Sequence, residues 1–231
     1  MLNRFARALV TRLLTPVARV LLALGVSPDV VTLVGTLGVC AGALVFYPRG
    51  DFLVGTLVIT AFVFSDTVDG IMARASGRSS AWGAFLDSTL DRLGDAGIFG
   101  GLVLAFAGTG PRHDTVMAAL ALACLVFGQV VSYARARAEG LGMKADVGIA
   151  ERADRLVTVL VTTGLTELFD LPYLVLKIVL ALLALASVVT VAQRMITVRR
   201  QVLAQHAAPA EGSAQAADRR PAGRAPGAVD G

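Results

Sequence analysis

Cysteine, histidine and charged residues are all scarce in this 231-residue chain. Two cysteines argue against a disulfide framework, and only two histidines leave few nitrogen or sulfur ligands for zinc or copper. Cys40 and Cys124 lie within apolar runs, so we expect them to be buried small hydrophobic residues. His113 is predicted to lie in a loop and His206 near the end of the chain, and neither is a candidate ligand.

Charged residues make up only 16% of the sequence, whereas 55% is hydrophobic. The mean hydropathy of +0.71 is too high for a soluble domain of this length and indicates a polytopic helical membrane protein. The net charge is +4, and the arginines adjoin the apolar runs. That placement suits anionic lipid headgroups, so membrane lipids are favoured over nucleic acid as partners.

Apolar and polar residues divide the chain into three regions. In residues 1–26, apolar residues recur at three- and four-residue steps between arginines, which predicts an amphipathic helix lying in the membrane interface. Residues 27–200 form a predicted membrane domain of six apolar spans. Residues 204–231 lack periodicity, which predicts a disordered tail. The predicted spans are 29–47, 52–74, 84–108, 115–135, 150–169 and 172–194.

The expected fold class is therefore all-α integral membrane, with six transmembrane helices preceded by an N-terminal amphipathic juxtamembrane helix. Arginine is concentrated before span 1, between spans 2 and 3, between spans 4 and 5, and after span 6. The opposite loops carry little beyond Arg49 and Arg112. The positive-inside rule then predicts a multi-pass protein of the plasma membrane with both termini in the cytoplasm.

Four aspartates lie within the predicted second and third spans. Asp66 and Asp69 are three residues apart, and Asp87 and Asp91 are four residues apart, so each pair lies on one face of its helix. If they converge, one pair about 4 Å apart repels by roughly 4 kcal/mol at an effective dielectric of about 20. Cations must therefore hold the cluster together, and oxygen ligands alone favour Mg²⁺, Mn²⁺ or Ca²⁺. A pair of such ions would bind a pyrophosphate.

The acids belong to a longer motif. Together with Gly70, Ala73, Arg74 and Gly83 they match the pattern D-x2-D-G-x2-A-R-x8-G-x3-D-x3-D at every fixed position. This pattern resembles the signature of the CDP-alcohol phosphotransferase family, which consists of integral membrane enzymes of phospholipid synthesis. The resemblance covers most of the chain, from the juxtamembrane helix through the six spans.

The resemblance implies a role for each acid. Two divalent metal ions per subunit, Mg²⁺ or alternatively Mn²⁺, would hold the pyrophosphate of CDP-diacylglycerol on Asp66, Asp69, Asp87 and Asp91. Asp91 would also be the catalytic base that takes the proton of the acceptor hydroxyl. The residues implied in binding CDP-diacylglycerol are Asp29, Val30, Val31, Thr32, Gly70, Arg74, Ser80 and Asp87. No Ser, Cys or His is placed as an activated nucleophile, so we expect direct attack.

Arginines also occur at the ends of spans 4 and 6 and at the start of span 5. If these segments converge, they form an anion pocket suited to an acceptor that bears a phosphate. Segments 132–142 and 148–155 resemble those of the actinobacterial branch of the family that makes phosphatidylinositol phosphate. The acceptor phosphate contacts implied by this resemblance are Ser132, Arg135, Arg155 and Arg194, with Arg152 as a further candidate.

The predicted reaction transfers a phosphatidyl group from CDP-diacylglycerol to 1D-myo-inositol 3-phosphate (inositol 1-phosphate), giving phosphatidylinositol phosphate and CMP. Three alternatives stay open: the same chemistry on glycerol 3-phosphate, a divalent-cation transporter, and a non-catalytic scaffold. Intact motif acids argue against a scaffold, because buried carboxylates are costly to keep. The family resemblance also implies a homodimer, for which spans 3 and 4 offer small contact residues. These are Gly100, Gly101, Ala105 and Ala119.

Overall fold

The computed structural model describes residues 2–77, 80–109, 112–149 and 151–207, together with their side chains except those of residues 2–10, 66, 206 and 207. Within these ranges the chain is all helical, with eight helices and no strand. The helices are α1 (Leu2–Ala23), α2 (Pro28–Phe46), α3 (Phe52–Val63), α4 (Ser65–Ala75), α5 (Ala81–Ala107), α6 (Thr115–Gly140), α7 (Arg152–Leu168) and α8 (Tyr173–Ala207).

Side-chain caps fix where three of these helices begin. The Oγ of Ser27 accepts from the backbone N–H of Val30 at 3.4 Å, and Pro28 occupies the first turn of α2. Ser80 caps α5 in the same way, accepting from the N–H of Gly83 at 3.0 Å. Asp114 caps α6. Short polar residues therefore fix where these helices begin, including α5, which carries Asp87 and Asp91.

Four stretches of the described chain are long and apolar enough to cross a membrane. They are Pro28–Phe46, Phe52–Ala75, Thr115–Gly140 and Tyr173–Gln205. The second stretch joins α3 and α4, which meet at Phe64. The protein is thus a multi-pass helical membrane protein, but two of the six predicted spans do not meet this standard. Helix α5 carries three aspartates and an arginine between Asp87 and Asp95, and α7 has only 17 residues, fewer than the ~20 that a span needs.

The two ends of the chain differ in part from the prediction. Helix α8 continues to Ala207, so residues 204–207 of the predicted disordered tail are helical, and residues 208–231 lie outside the described residues. Helix α1 packs against α4, where Ala18 contacts a buried cluster that contains Val68, Ile71 and Met72. Helix α1 is therefore in direct contact with the helix that bears Asp69.

Small residues let α5 approach α2 closely. A Cβ at Gly101 would lie 2.6 Å from the backbone oxygen of Ala43, and one at Gly97 would lie 3.0 Å from the Cα of Cys40. Neither position has room for a side chain, so glycine is required for this contact. Gly101 is therefore occupied within the subunit and is not available for the dimer contact suggested by the sequence. The same contact holds the start of α5 beside the start of α2, where the acids lie.

Candidate active site

Three of the predicted metal-binding aspartates lie together where α2, α4 and α5 meet. Asp69, on α4, is 7% exposed and accepts a 2.5 Å hydrogen bond from Oγ1 of Thr32 on α2. Asp87 and Asp91, on α5, are close enough for their charges to act on Asp69. Asp66 lies about one turn before Asp69 on α4, but its side chain is not among the described ones. Helices α4 and α5 thus bring Asp69 within electrostatic reach of Asp87 and Asp91.

These acids offer oxygen alone to a cation, which fits a hard divalent ion such as Mg²⁺ or Mn²⁺ better than zinc. Among the described side chains, which do not include that of Asp66, no three acids, histidines or cysteines are grouped closely enough to hold a metal ion. Asp91 faces arginines instead. Its Oδ1 lies 2.9 Å from Nη1 of Arg152, and its Oδ2 lies 3.6 Å from Nη2 of Arg92. The donor chemistry fits a divalent metal, while arginines balance the charge of Asp91 in the arrangement described.

Arg152 connects the start of α7 to α5. It is the first residue of α7, where a cation is disfavoured by about 0.3–1 kcal/mol because the N-terminus of a helix carries partial positive charge. Its Nε donates to Oδ1 of Asp95 at 3.0 Å, and its Nη2 donates to the backbone oxygen of Asp91 at 3.3 Å. Asp95 is only 4% exposed. Two carboxylates on successive turns of α5 therefore hold one guanidinium group.

A cavity of about 790 Å³ lies between α5, α6 and the start of α7. Its polar wall includes four of the predicted acceptor-binding residues, Ser132, Arg135, Arg152 and Arg194. Arg92 also lines the cavity and donates from Nη1 to Oγ of Ser132. Glu139 offsets part of this charge through a 2.9 Å ion pair with Arg135. The cavity thus presents several guanidinium groups beside Asp91, an arrangement suited to binding an anion.

Two of the predicted phosphate-binding arginines are deeply buried. Arg155 is 1% exposed and does not line the cavity; its Nη2 donates to the backbone oxygen of Gly128 at 3.5 Å. Arg194, 5% exposed, lies at the cavity edge. It donates from Nε to the backbone oxygen of Val147 at 2.9 Å and from Nη1 to that of Val131. Arg155 therefore lies behind the cavity wall, and Arg194 also ties α8 to α6 and to the α6–α7 connection.

The predicted nucleotide-binding residues come from the start of α2, the second half of α4 and the start of α5. Two contacts join these elements: the Thr32–Asp69 hydrogen bond, and a 3.1 Å hydrogen bond from Nε1 of Trp82 to Asp29. A Cβ at Gly70 would lie 3.4 Å from Nη1 of Arg74, so the guanidinium group lies close to the glycine. The remaining members occupy the first turns of α2 and the N-cap of α5. They are Val30, Val31 and Ser80.

The sequence prediction did not include three polar residues of this region. Asp95 continues the four-residue spacing of Asp87 and Asp91, a signal that was available in the sequence. Arg92 directly follows Asp91, and Gln129 donates from Nε2 to the backbone oxygen of Arg92 at 3.0 Å. Nothing in the sequence pattern distinguishes Gln129 from an ordinary polar residue on a helix.

The chain is similar to several curated enzymes over most of its length. It is 56% identical over 206 residues to the phosphatidylinositol phosphate synthase of Streptomyces avermitilis, covering 87% of this chain and 84% of that protein. Identity to the phosphatidylinositol phosphate synthase of Cutibacterium acnes is 49% over 206 residues, covering 87% of this chain and 98% of the relative.

Solved structures of a relative share the fold. The crystal structure of Mycobacterium tuberculosis phosphatidylinositol phosphate synthase (PgsA1) with CDP-DAG bound is 42% identical, with a TM-score of 0.76 over 81% of this chain and 94% of that one. The structure of the same enzyme in complex with manganese and citrate has a TM-score of 0.75 at 42% identity, over 80% of this chain and 88% of that one.

The family itself is recognised within the region that carries the acids. The sequence profile described as CDP-alcohol phosphatidyltransferase matches residues 25–150, which include α2 to α6 and the whole aspartate motif. This match and the identities above confirm the family and the enzyme class predicted from the motif. The chain belongs to the CDP-alcohol phosphatidyltransferase family.

Proposed function

We propose that the protein is a phosphatidylinositol phosphate synthase, which transfers the phosphatidyl group of CDP-diacylglycerol to 1D-myo-inositol 3-phosphate and releases CMP. The main support within the structure is the arginine-lined cavity that borders Asp91, because an acceptor that bears its own phosphate needs such a site. The relatives named for this reaction, at 49–56% identity, support the same choice of acceptor.

The nucleotide end of the donor binds between the starts of α2 and α5 and the second half of α4. Arg74 binds phosphate there, and Gly70 leaves room for its guanidinium group. Asp66, Asp69, Asp87 and Asp91 hold two divalent ions, Mg²⁺ or Mn²⁺, which neutralise the pyrophosphate and acidify the acceptor hydroxyl when bound. The solved relative in complex with manganese supports a divalent metal.

Asp91 takes the proton of the acceptor hydroxyl, since it acts on Asp69 and pairs with Arg152, which lines the cavity. The hydroxyl oxygen forms a bond to the phosphorus that carries the diacylglycerol, the bond from that phosphorus to the bridging oxygen breaks, and CMP leaves with the bridging oxygen. Arg135, Arg152 and Ser132, which all line the cavity, bind the phosphate of the acceptor. With metal bound, Asp91 would be a ligand in place of its ion pairs with Arg92 and Arg152.

In the membrane, α1 lies in the interface, residues 27–200 form six spans and the catalytic site, and both termini and the acids face the cytoplasm. Exposed Leu13, Val17 and Arg12 on α1 support an interfacial position. The plasma membrane is the location that follows from the substrate. The enzyme assembles as a homodimer, as the family resemblance implies.

The test is CMP release by purified protein in lipid, with CDP-diacylglycerol and a panel of acceptors. We expect inositol 1-phosphate to support turnover, glycerol 3-phosphate and free inositol to give little, and a chelator to stop the reaction until Mg²⁺ or Mn²⁺ is restored. Turnover with glycerol 3-phosphate alone would identify a phosphatidylglycerophosphate synthase. Metal flux into proteoliposomes without CMP release would instead support a transporter.

A further inference from the structure

We propose that Asp95, which lies outside the aspartate motif, is a positioning residue that holds Arg152 in place for the acceptor phosphate in the transfer proposed above. Asp95 lies one turn beyond Asp91 on α5 and is buried. It has no direct path to the cavity, because it is absent from the cavity wall whereas Arg152 is part of that wall. Asp95 therefore acts on the acceptor mainly through Arg152, which is its hydrogen-bond partner.

The guanidinium group of Arg152 contacts the carboxylates of two aspartates. Its Nε faces Oδ1 of Asp95 at 3.0 Å, while Nη1 faces Oδ1 of Asp91 at 2.9 Å. The bond from Nε fixes the plane of the guanidinium group and leaves Nη1 and Nη2 at its outer edge. Arginine is suited to this task because its planar fork binds with little further loss of freedom once one nitrogen is fixed.

The two acids have different duties during turnover. Asp91 has to exchange its ion pair with Arg152 for metal and for the proton of the acceptor, so it does not hold Arg152 throughout the reaction. Asp95 is not needed for either task. When the Asp91 carboxylate releases Arg152, the hydrogen bonds from Nε to Asp95 and from Nη2 to the backbone oxygen of Asp91 remain, and Nη1 becomes available to the acceptor phosphate.

Without the charge of Asp95, several forces would move Arg152 away. The partial positive charge at the N-terminus of α7 acts on it directly, because Arg152 is the first residue of that helix. The charges of Arg92, Arg152 and Arg155 all act on Asp95, so these cations share Asp95 as a counter-charge. Removing it leaves them to repel one another across the floor of the cavity.

The experiment compares Asp95→Asn with Asp114→Asn, an acid far from the cavity, in purified protein in lipid. Because the asparagine oxygen can still accept from Nε but carries no charge, the fold should survive. We expect the KM for the acceptor to rise about tenfold, as for a misplaced binding group, with the KM for CDP-diacylglycerol unchanged. Asp114→Asn should leave both values as in the wild type. If Asp95→Asn does not fold, Asp95→Glu carries the same test, because it keeps the charge and displaces the carboxylate by one methylene.

A double-mutant cycle separates positioning from a general loss of stability. Lysine at position 152 has no Nε donor of this kind, so Arg152→Lys should raise the acceptor KM by itself. Adding Asp95→Asn to Arg152→Lys should then have little further effect, because the two residues act as a unit. Additive effects of the two substitutions would overturn the proposal.

Binding without turnover provides a second measurement. With Mg²⁺ present and CDP-diacylglycerol left out, inositol 1-phosphate should raise the melting temperature of the wild type and of Asp114→Asn, and raise that of Asp95→Asn clearly less. An unchanged acceptor KM in Asp95→Asn would overturn the proposal. So would a higher requirement for Mn²⁺ with no rise in the acceptor KM, because that result would make Asp95 a metal ligand. The function proposed above is judged on the wild type alone, so its failure is distinguishable from failure of the role of Asp95.

Discussion

The two ends of the helix bundle bury different kinds of side chain. At one end, α4, α5 and α7 bring together Asp69, Asp91, Asp95 and Arg152 around a cavity. At the other end, aromatic rings fill the space between α2, α3, α5 and α8. Phe52 is central there, with ring centroids 5.6 Å from both Tyr47 and Phe106 and 6.1 Å from Tyr173. Charge and open volume are thus concentrated at one end, and close packing at the other.

This difference separates what the chain needs for chemistry from what it needs for folding. The charged end holds like charges close to one another, which is unfavourable until substrates and metal arrive. The aromatic end has no such conflict, and Arg112 extends it with a 3.1 Å hydrogen bond from Nε to the hydroxyl of Tyr173. Substitutions at the charged end should therefore lower activity more than stability, and those at the aromatic end should do the reverse.

The largest effect on activity is expected from Asp91→Asn. A missing general base usually lowers the rate by about 10²–10⁴-fold, and here a proposed metal ligand is lost as well. The melting temperature should change little, because the loss of the ion pairs with Arg152 and Arg92 is offset by less repulsion of Asp69. CMP release and thermal unfolding in lipid measure the two quantities on the same samples. A variant that keeps full activity, or one that loses activity only because it unfolds, would contradict the separation of the two ends.

A matched pair of glycines tests the aromatic end. A Cβ at Gly101 would lie 2.6 Å from the backbone oxygen of Ala43 and 3.3 Å from the ring of Tyr47, whereas one at Gly100 would meet nothing within 4 Å. Gly101→Ala should therefore destabilise the protein by about 1–3 kcal/mol through overpacking. Gly100→Ala should be neutral or stabilise it by up to about 1 kcal/mol, since alanine favours a helix.

Thermal unfolding compares the two glycine variants, and CMP release at a temperature where both are folded should differ little between them. Equal melting temperatures would show that α2 and α5 can separate at Gly101 without cost. A Gly100→Ala variant that loses stability would indicate that this face is covered, as in a homodimer.

The aspartate motif and most helices could be predicted because they depend on local spacing. Asp87 and Asp91 are one turn apart in any helix, and the caps at Ser27 and Ser80 are local features too. Apolar runs predict six spans, and four stretches of the described chain are long and apolar enough to cross a membrane. The other two predicted spans differ because α5 mixes its acids with apolar residues and α7 is short.

The distribution of roles among the charged residues could not be predicted in the same way. Asp95 and Arg152 are 57 positions apart, and only the packing of α7 against α5 shows that they are partners. Arg155 and Arg135 look equivalent in the sequence, yet one lies behind Gly128 and the other at the cavity surface. Local periodicity places a residue on a face of its helix, but the partner of that face depends on tertiary packing.

The smallest effect is expected at Asp114, a charged group at the aromatic end. Its Oδ1 accepts from the N–H of Met117 at 3.0 Å, and its Oδ2 pairs with Lys177. The bond to Lys177 and the cap lower the pKa of Asp114 below its ordinary value of 3.8. Because the pKa is lower in the folded state, the carboxylate stabilises the protein at a pH above its ordinary pKa. This contribution is lost as the pH falls through the pKa of the folded state. Asp114→Asn keeps the cap but removes the charge. Above about pH 4 the wild type should therefore melt at a slightly higher temperature than the variant, and in stronger acid the two melting temperatures should converge. High salt should shrink the difference, since the pair is exposed. Parallel pH profiles for the two proteins would show that the ion pair adds nothing and that packing alone stabilises this end.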